Sequence, residues 1–346
     1  MSTALNNSQS SKTLLPERHA QKDLFICDVA DAVFKDVMQH LEHPFYSLSK
    51  KPQTKVQEYK HNNVWIRITP SVLGQATIYD KDILIYCISQ VMGKMKKNLP
   101  VSPRVKISSH DLLKFSNRGT SGRDYKRLDT AIQRLRGTVI STNIRTGDIE
   151  QTDTFGLIDS SSVKRKSEPD GRLISCEIIL SDWVFNAIQA QEVLTLHPDY
   201  FRLEKPIDRR VYEIARKHCG NQRTWSISLE KLHKKSGSQS SLKQFRQSIK
   251  ALAEANHLPD YQISYNRGKD VLLFLNRVKL KLTSMHEEDF PTLRPDTYEK
   301  AKKIASGLDI YALEIDWRTY WVDSGQPEFK SPDAAFLGFC RFRVSI

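Results

Sequence analysis

The sequence predicts an α+β fold in which one small module occurs twice, with short N- and C-terminal extensions. Three observations predict it. A helix, a strand, two more helices and a pair of strands follow one another, and the same order returns about 120 residues further on. Apolar positions agree across that shift: Ile107 with Ile227, Leu112 with Leu232, Tyr125 with Phe245 and Ile132 with Leu252, although Leu128 falls opposite Ser248. The basic excess, 53 Lys+Arg against 40 Asp+Glu, gathers on the two copies. This order of elements is that of a winged-helix module, a helix-turn-helix relative, so the expected architecture is a tandem winged-helix protein.

The chain of 346 residues has room for about two domains. The expected division is a flexible tail over 1–21, a first winged-helix domain with an N-terminal helix and hairpin over 22–180, a second over 181–280, and a partly helical extension over 281–346. Hydrophobic residues make up 39% and charged residues 27%, polar overall but sufficient for real cores. No run approaches ~18 uninterrupted apolar residues, which argues against a membrane span. Met1 to Lys12 is rich in Ser, Asn and Gln and does not read as a secretory signal. Cys27, Cys87, Cys176, Cys219 and Cys340 lie far apart with no CxxC. A disulfide framework and a cysteine-based zinc site are therefore not expected, and a reducing cytoplasm is.

Along the chain, Phe25, Val29, Val33 and Val37 stand at four-residue steps and predict a helix over Lys22–His40, stopped by Pro44. Val56–Tyr59 and Val64–Ile68 read as a hairpin turning at His61-Asn62-Asn63. Asp80–Lys97 carries a wide apolar face of Ile83, Leu84, Cys87, Ile88, Val91 and Met95. That is more than one helix needs to bury, so a candidate homodimer surface is placed there, with core burial as the expected use of most of these residues. The first module then reads as strand Arg104–Ile107, helix Ser108–Phe115, turn Gly119–Gly122, helix Arg123–Arg136, and wing strands Thr138–Ile144 and Asp153–Ile158. Leu173–Leu180 is a strand between the modules, and Ser181-Asp182 caps a helix to about Ala190. The second module has helix Ile207–Cys219, strand Trp225–Ser228, helices Leu229–Lys235 and Ser241–Ala255, and strands Tyr261–Tyr265 and Val271–Leu275. Tyr298–Ala305 and Pro332–Phe342 are the helices expected in the extension.

On the Arg123–Arg136 helix, Tyr125, Leu128, Ile132 and Leu135 form one stripe, while Arg123, Arg127, Thr130 and Arg134 fall nearly opposite. On the Ser241–Ala255 helix, Phe245, Ile249 and Leu252 point one way, Lys243, Gln247 and Lys250 the other, with Arg246 on the flank. A polar outer face is the default for any surface helix. Two such faces at matching places in a repeated module favour duplex DNA, because Arg pairs bidentately with guanine and Lys with phosphate. Lys126 and the turn residue Arg267 complete the expected set. Residues 118–145 hold seven basic and two acidic side chains, and residues 205–250 hold twelve and three. Lys164-Arg165-Lys166 is read as a basic loop.

Catalytic signatures are missing. Gly93-Lys94 and Gly268-Lys269 lack the rest of a P-loop, and the HxxH pair His40 and His43 is not the HxH spacing of a rolling-circle nickase. His218-Cys219 reads as packing at a helix end, and Trp183, Trp225, Trp317 and Trp321 as core anchors. No metal or cofactor is expected, and the chain does not read as an enzyme.

Several long stretches resemble the plasmid replication initiator protein A (RepA) family of bacteria. They are Glu42-His43-Pro44-Phe45-Tyr46-Ser47-Leu48-Ser49-Lys50-Lys51-Pro52, Ala76 to Cys87, Arg134 to Thr138, Leu180 to Trp183, Asp199 to Leu203 and Arg209 to Gly220. The resemblance covers about Lys22 to Arg277, and Ala334 to Arg341 is similar too. It implies a non-enzymatic initiator that binds directly repeated origin sites (iterons), helps open the adjacent AT-rich duplex, and recruits the host replication initiator and replicative helicase. It assigns DNA contact to Arg123, Arg127, Arg134, Lys243, Arg246 and Lys250. A transcriptional repressor built from the same modules, including one acting on its own gene, is the alternative, and a nuclease or recombinase the least favoured.

Overall fold

The computed structural model describes residues 14–19, 34–61, 64–144, 153–165, 173–284, 290–305, 310–324 and 327–344. Residues 14–19 are part of the stretch expected to be a free tail, and here the structure corrects the sequence. The Leu15 N–H donates to the Arg202 carbonyl at 2.9 Å and Arg202 Nε donates back to the Leu15 carbonyl at 2.7 Å. The Arg18 N–H reaches Asn117 Oδ1 at 2.8 Å, and Asn117 Nδ2 the Pro16 carbonyl at 3.1 Å. These bonds strap the segment to the body of the protein.

The helix expected over Lys22–His40 is overturned at its end. Strand β1 (Lys35–Val37) precedes a short helix α1 (Met38–Glu42), and the residues before Phe34 lie outside those described. β1 pairs antiparallel with a distant strand at residues 193–195. A four-residue apolar step is a local signal, and a long-range ladder overrides it. Hairpin β2 (Gln57–His61) and β3 (Val64–Thr69) follows as expected, its turn at Asn62-Asn63 lying outside the described residues.

Helix α2 (Lys81–Lys96) is the centre of the molecule: every residue from Lys81 to Gly93 is buried. The candidate homodimer surface on this helix is therefore removed, since Ile83, Leu84, Ile88 and Val91 are taken by the chain's own core and Met95 packs against it. The surplus of apolar residues reflects a helix covered all round, which is what burial on every side demands. Next come β4 (Arg104–Ser108), α3 (Ser109–Phe115) and α4 (Gly122–Gly137). Ser108 caps α3 by accepting from the Asp111 N–H.

The strands expected to form the first wing do something else. β5 (Val139–Thr142) and β6 (Asp153–Gly156) pair with each other, but β5 also pairs with β3, giving a four-stranded sheet β2-β3-β5-β6. The hairpin that pairs with β4 is β7 (Ile158–Arg165) with β8 (Leu173–Leu180), in the order β4-β8-β7. Leu173–Leu180 is thus no spacer between modules; Cys176, Ile178 and Leu180 bury its inner face. Residues 145–152, with the turn expected at 145–148, and 166–172, with Lys166, lie outside the described residues.

After α5 (Asp182–Gln189), β9 (Val193–Thr195) and a 3-10 turn over Pro198–Arg202 comes α6 (Pro206–His218). The second unit is β10 (Thr224–Ser228), α7 (Leu229–Ser236), α8 (Leu242–Ala255), β11 (Tyr261–Asn266) and β12 (Val271–Asn276), with sheet order β10-β12-β11. In both units the second hairpin strand is central and the strand before the helices pairs with it. One core runs continuously from Phe34 to Phe274 through both. Helices α9 (Arg277–Ser284), α10 (Pro295–Ile304), α11 (Ile310–Asp323) and α12 (Pro332–Val344) follow, and Leu293, Ala301, Leu313, Trp317, Phe336 and Cys340 form a separate core among them. α11 was not expected, although Ile310, Leu313, Trp317 and Trp321 repeat at helical spacing. No described helix is long and apolar enough to cross a membrane.

A buried ionic cluster ties the units together. Lys81 on α2 pairs with Asp36 of β1 at 2.9 Å and with Glu213 of α6. Burial raises the Asp36 carboxyl, but Lys81 and His40 override it and hold it down at about 2. Arg209 of α6 meets Asp82 of α2 at 2.7 Å. Arg210 donates from Nη1 to the Leu41 carbonyl at 2.9 Å and from Nη2 to the carbonyls of Glu42 and of Lys235 in α7, both at 3.0 Å. Gly237, in the left-handed conformation (φ 71°) that ends α7, lies so close to Pro44 that an added Cβ would stand 2.5 Å from the Pro44 Cβ. Part of the positive charge counted in residues 205–250 is therefore internal: Arg209 and Arg210 are buried and neutralised.

Candidate nucleic-acid interface

Helix α4 begins in a capping box, with Ser121 and Asp124 satisfying each other's backbone N–H groups. A Cβ on Gly119 in the preceding turn would stand 2.6 Å from the Asp124 carboxylate, so that side chain would have to shift. Tyr125, Leu128, Ala131, Ile132 and Leu135 bury one face of the helix. On the other, Arg123, Lys126 and Arg127 are exposed. Arg127 is 3.7 Å from Asp124 with 68% of its side chain exposed, a loose surface pair that leaves the guanidinium available. Thr130 is half-buried and turns its hydroxyl back to the Lys126 carbonyl at 3.1 Å.

Arg134 is placed differently from the expectation. Its Nε and Nη2 both donate to the Asp80 carboxylate at 2.7 Å, a bidentate pair at the start of α2. The hydrogen bond to Asp80 outweighs burial and raises the Arg134 pKa. Its Nε and Nη2 are engaged in joining α4 to α2, so the outward arginine stripe ends at Arg127.

Helix α8 repeats both features. Its Ser241–Gln244 capping box matches that of α4, and Phe245, Ile249 and Leu252 are buried. Lys243 and Gln247 are exposed. Arg246 donates to both Asp270 oxygens, at 3.1 and 2.8 Å, and Tyr265 donates its hydroxyl to the same carboxylate at 2.5 Å. Hydrogen bonding to Asp270 raises the Arg246 pKa. Arg246 thus fastens α8 to the β11–β12 hairpin instead of facing outward alone. Lys250 is half-buried, with its ammonium 6.0 Å over the Tyr265 ring. Arg267 is exposed in the β11–β12 turn, beyond the end of α8.

The structure therefore brings Arg123, Lys126 and Arg127 together on one helix and Lys243 with Gln247 on the other. The sequence did not reveal the acids that hold Arg134 and Arg246. Asp80 lies far from Arg134 in the chain, whereas Asp270, two residues beyond the Gly268 turn, was an available signal. Elsewhere, His218 stacks on Trp225 with ring centroids 5.1 Å apart, and Cys219 is buried. No group of three or more His, Cys, Asp or Glu side chains among the described residues could hold a metal ion.

Comparison with known proteins completes the picture. The family model "Replication initiator protein A" matches residues 35–263, from β1 through most of the second unit. The "Putative replication protein" of Wigglesworthia glossinidia brevipalpis is 40% identical over 274 residues, which is 78% of this chain and 99% of that protein. Domains 2 and 3 of RctB share the fold at TM-score 0.52 and 11% identity, covering 68% of this chain and 97% of that one. The Pi initiator protein, solved in complex with iteron DNA, gives a TM-score of 0.40 at 17% identity over 65% of this chain and 98% of that one. A family match across both repeated units, with a relative aligned over nearly its whole length, establishes that this chain belongs to the replication initiator protein A family.

Proposed function

We propose that this initiator binds duplex DNA at repeated origin sites, the iterons, through two winged-helix modules. In this reading α3–α4 and α7–α8 are the helix-turn-helix pairs, α4 and α8 the recognition helices, and β7–β8 and β11–β12 the wings. The observation that carries it is the equivalence of α4 and α8. Both follow a short capped helix, open with a capping box, bury one face and present cations on the other, in units with the same sheet order. Arg123, Lys126 and Arg127 would enter one major-groove segment, Lys243 and Gln247 the next, and Arg267 would meet the backbone from the wing. The protein acts without covalent chemistry of its own, on plasmid DNA in the bacterial cytoplasm. It helps open the origin and draws in the host initiator and replicative helicase.

The test is fluorescence anisotropy on a duplex selected by the wild-type protein from a random-sequence pool. Arg127→Ala should cost about 1–3 kcal/mol and relax the sequence preference at one position. Lys243→Ala should weaken binding to all sequences alike. Unaltered affinity in both variants would show that α4 and α8 are not the recognition helices.

A further inference from the structure

The loop Ser49–Pro52 lies outside both helix-turn-helix units, yet it borders a cavity shared with the turn of each. On one side it walls a cavity of about 550 Å³ together with Asn117, Gly119, Asp124 and Arg127 of the α3–α4 turn and α4. On the other, Ser49 and Gln53 wall a smaller one of about 260 Å³ with Ser238, Gln239 and Ser240, directly before the Ser241 cap of α8. The loop therefore stands between the N-terminal ends of the two outward helices.

It is also held in place. Ser47 exchanges backbone hydrogen bonds with Ala76 and Ile78 at 2.9 and 3.0 Å, and the Gln53 carbonyl accepts from the Gln75 N–H at 2.8 Å. Between these anchors Lys50 and Lys51 are exposed. Three of the cations around the larger cavity are already answered: Arg134 by Asp80, Arg118 and Arg209 by Asp82. No carboxylate among the described residues pairs with Lys50 or Lys51. On this loop they leave positive charge unanswered, beside the available guanidinium of Arg127 across the cavity.

We infer that Lys50 and Lys51 form a phosphate clamp that grips the duplex backbone between the two major-groove segments entered by α4 and α8. The inference rests on the proposed reading of those helices. Recognition helices in successive groove segments are separated by a crossing of the sugar–phosphate backbone, so a fixed cationic loop between them faces phosphodiesters. Ammonium groups suit this task, since they neutralise phosphate without demanding a particular base.

The test uses the full chain carrying Lys50→Gln and Lys51→Gln, both exposed and so expected to leave the thermal unfolding curve unchanged. Affinity for the pool-selected duplex and for a scrambled duplex is measured across a salt series. Each lost phosphate contact removes roughly 0.9 from the slope of log K against log salt. The double variant should therefore be shallower by roughly 1–2, with the ratio of selected to scrambled affinity kept. A slope equal to that of the wild type overturns the clamp, and if Arg127→Ala still weakens binding, the reading of α4 survives without it. A wild-type protein that binds neither duplex overturns both. Calorimetry with ATP covers a free anion as occupant. ATP binding abolished by the double variant while the duplex slope stays unchanged would make this a nucleotide site and reject the clamp.

Discussion

Arg127 and Arg134 stand two helical turns apart on α4 and look equivalent in the sequence, yet they do different work. Arg134 neutralises Asp80, whose side chain is only 3% exposed, through two 2.7 Å bonds. Removing it strands a nearly buried carboxylate, a change that is strongly destabilising when the pair is fully buried. Arg134 retains some solvent contact, so Arg134→Ala should lower stability by about 1–3 kcal/mol in urea denaturation. Arg127→Ala, at an exposed surface pair, should stay within about 0.5 kcal/mol of wild type in the same assay. Equal losses in the two variants would contradict the division of α4 into a structural end and a free end.

Among the elements, α6 carries the largest burden. It is amphipathic by charge, with Asp208, Arg209, Arg210 and Glu213 all buried. Arg210 answers carbonyls at the C-terminal ends of both α1 and α7, where the helix dipole favours a cation. Arg210→Leu should cost about 3–5 kcal/mol in urea denaturation, because the carbonyls of Leu41, Glu42 and Lys235 and the Glu213 carboxylate all lose a buried donor. The same junction is sensitive to pH. Burial pushes His43 and His218 down to about 4 from 6.5; Lys235, Lys217 and Arg210 add to the shift against the opposing pull of Glu42. Both are depressed relative to the unfolded chain, so their contribution to stability is full above 6.5 and is lost as pH falls towards 4. The Tm should therefore fall between about pH 7 and pH 5, and the fall should be smaller in His43→Asn/His218→Asn. Asp36 acts in a lower window, between 3.8 and about 2, and should leave this range flat.

For the whole molecule, the continuous core and the Lys81–Glu213 and Arg209–Asp82 pairs make the two units one body. On the proposed reading of α4 and α8 as recognition helices, a rigid pair demands a fixed groove separation, about one helical turn on one face of B-DNA. Inserting ~5 bp between the two contacted segments turns one of them to the opposite face. Binding should then fall close to that of a single unit, measured with a variant in which Lys243 and Gln247 are both replaced by Ala. Tolerance of the insertion would mean that the units move independently.

The sequence by itself determined the local elements and their repetition. The hydrophobic stripe of Tyr125, Leu128, Ile132 and Leu135 is written in residues a few positions apart, so it is legible without a fold. So is the repeat of β4-α3-α4 as β10-α7-α8. Tertiary structure decided which hairpin completes the first sheet, because only long-range register chose β8 as the partner of β4 and β3 as the partner of β5. It also decided that Lys35–Val37 is a strand, that α2 is a core helix and not a dimer face, and that Arg134 and Arg246 are bound to Asp80 and Asp270. Each of these depends on a partner distant in the chain or on the far side of a turn. Periodicity records which face of an element is apolar; it does not record what will cover that face, nor which carboxylate will reach a cation first.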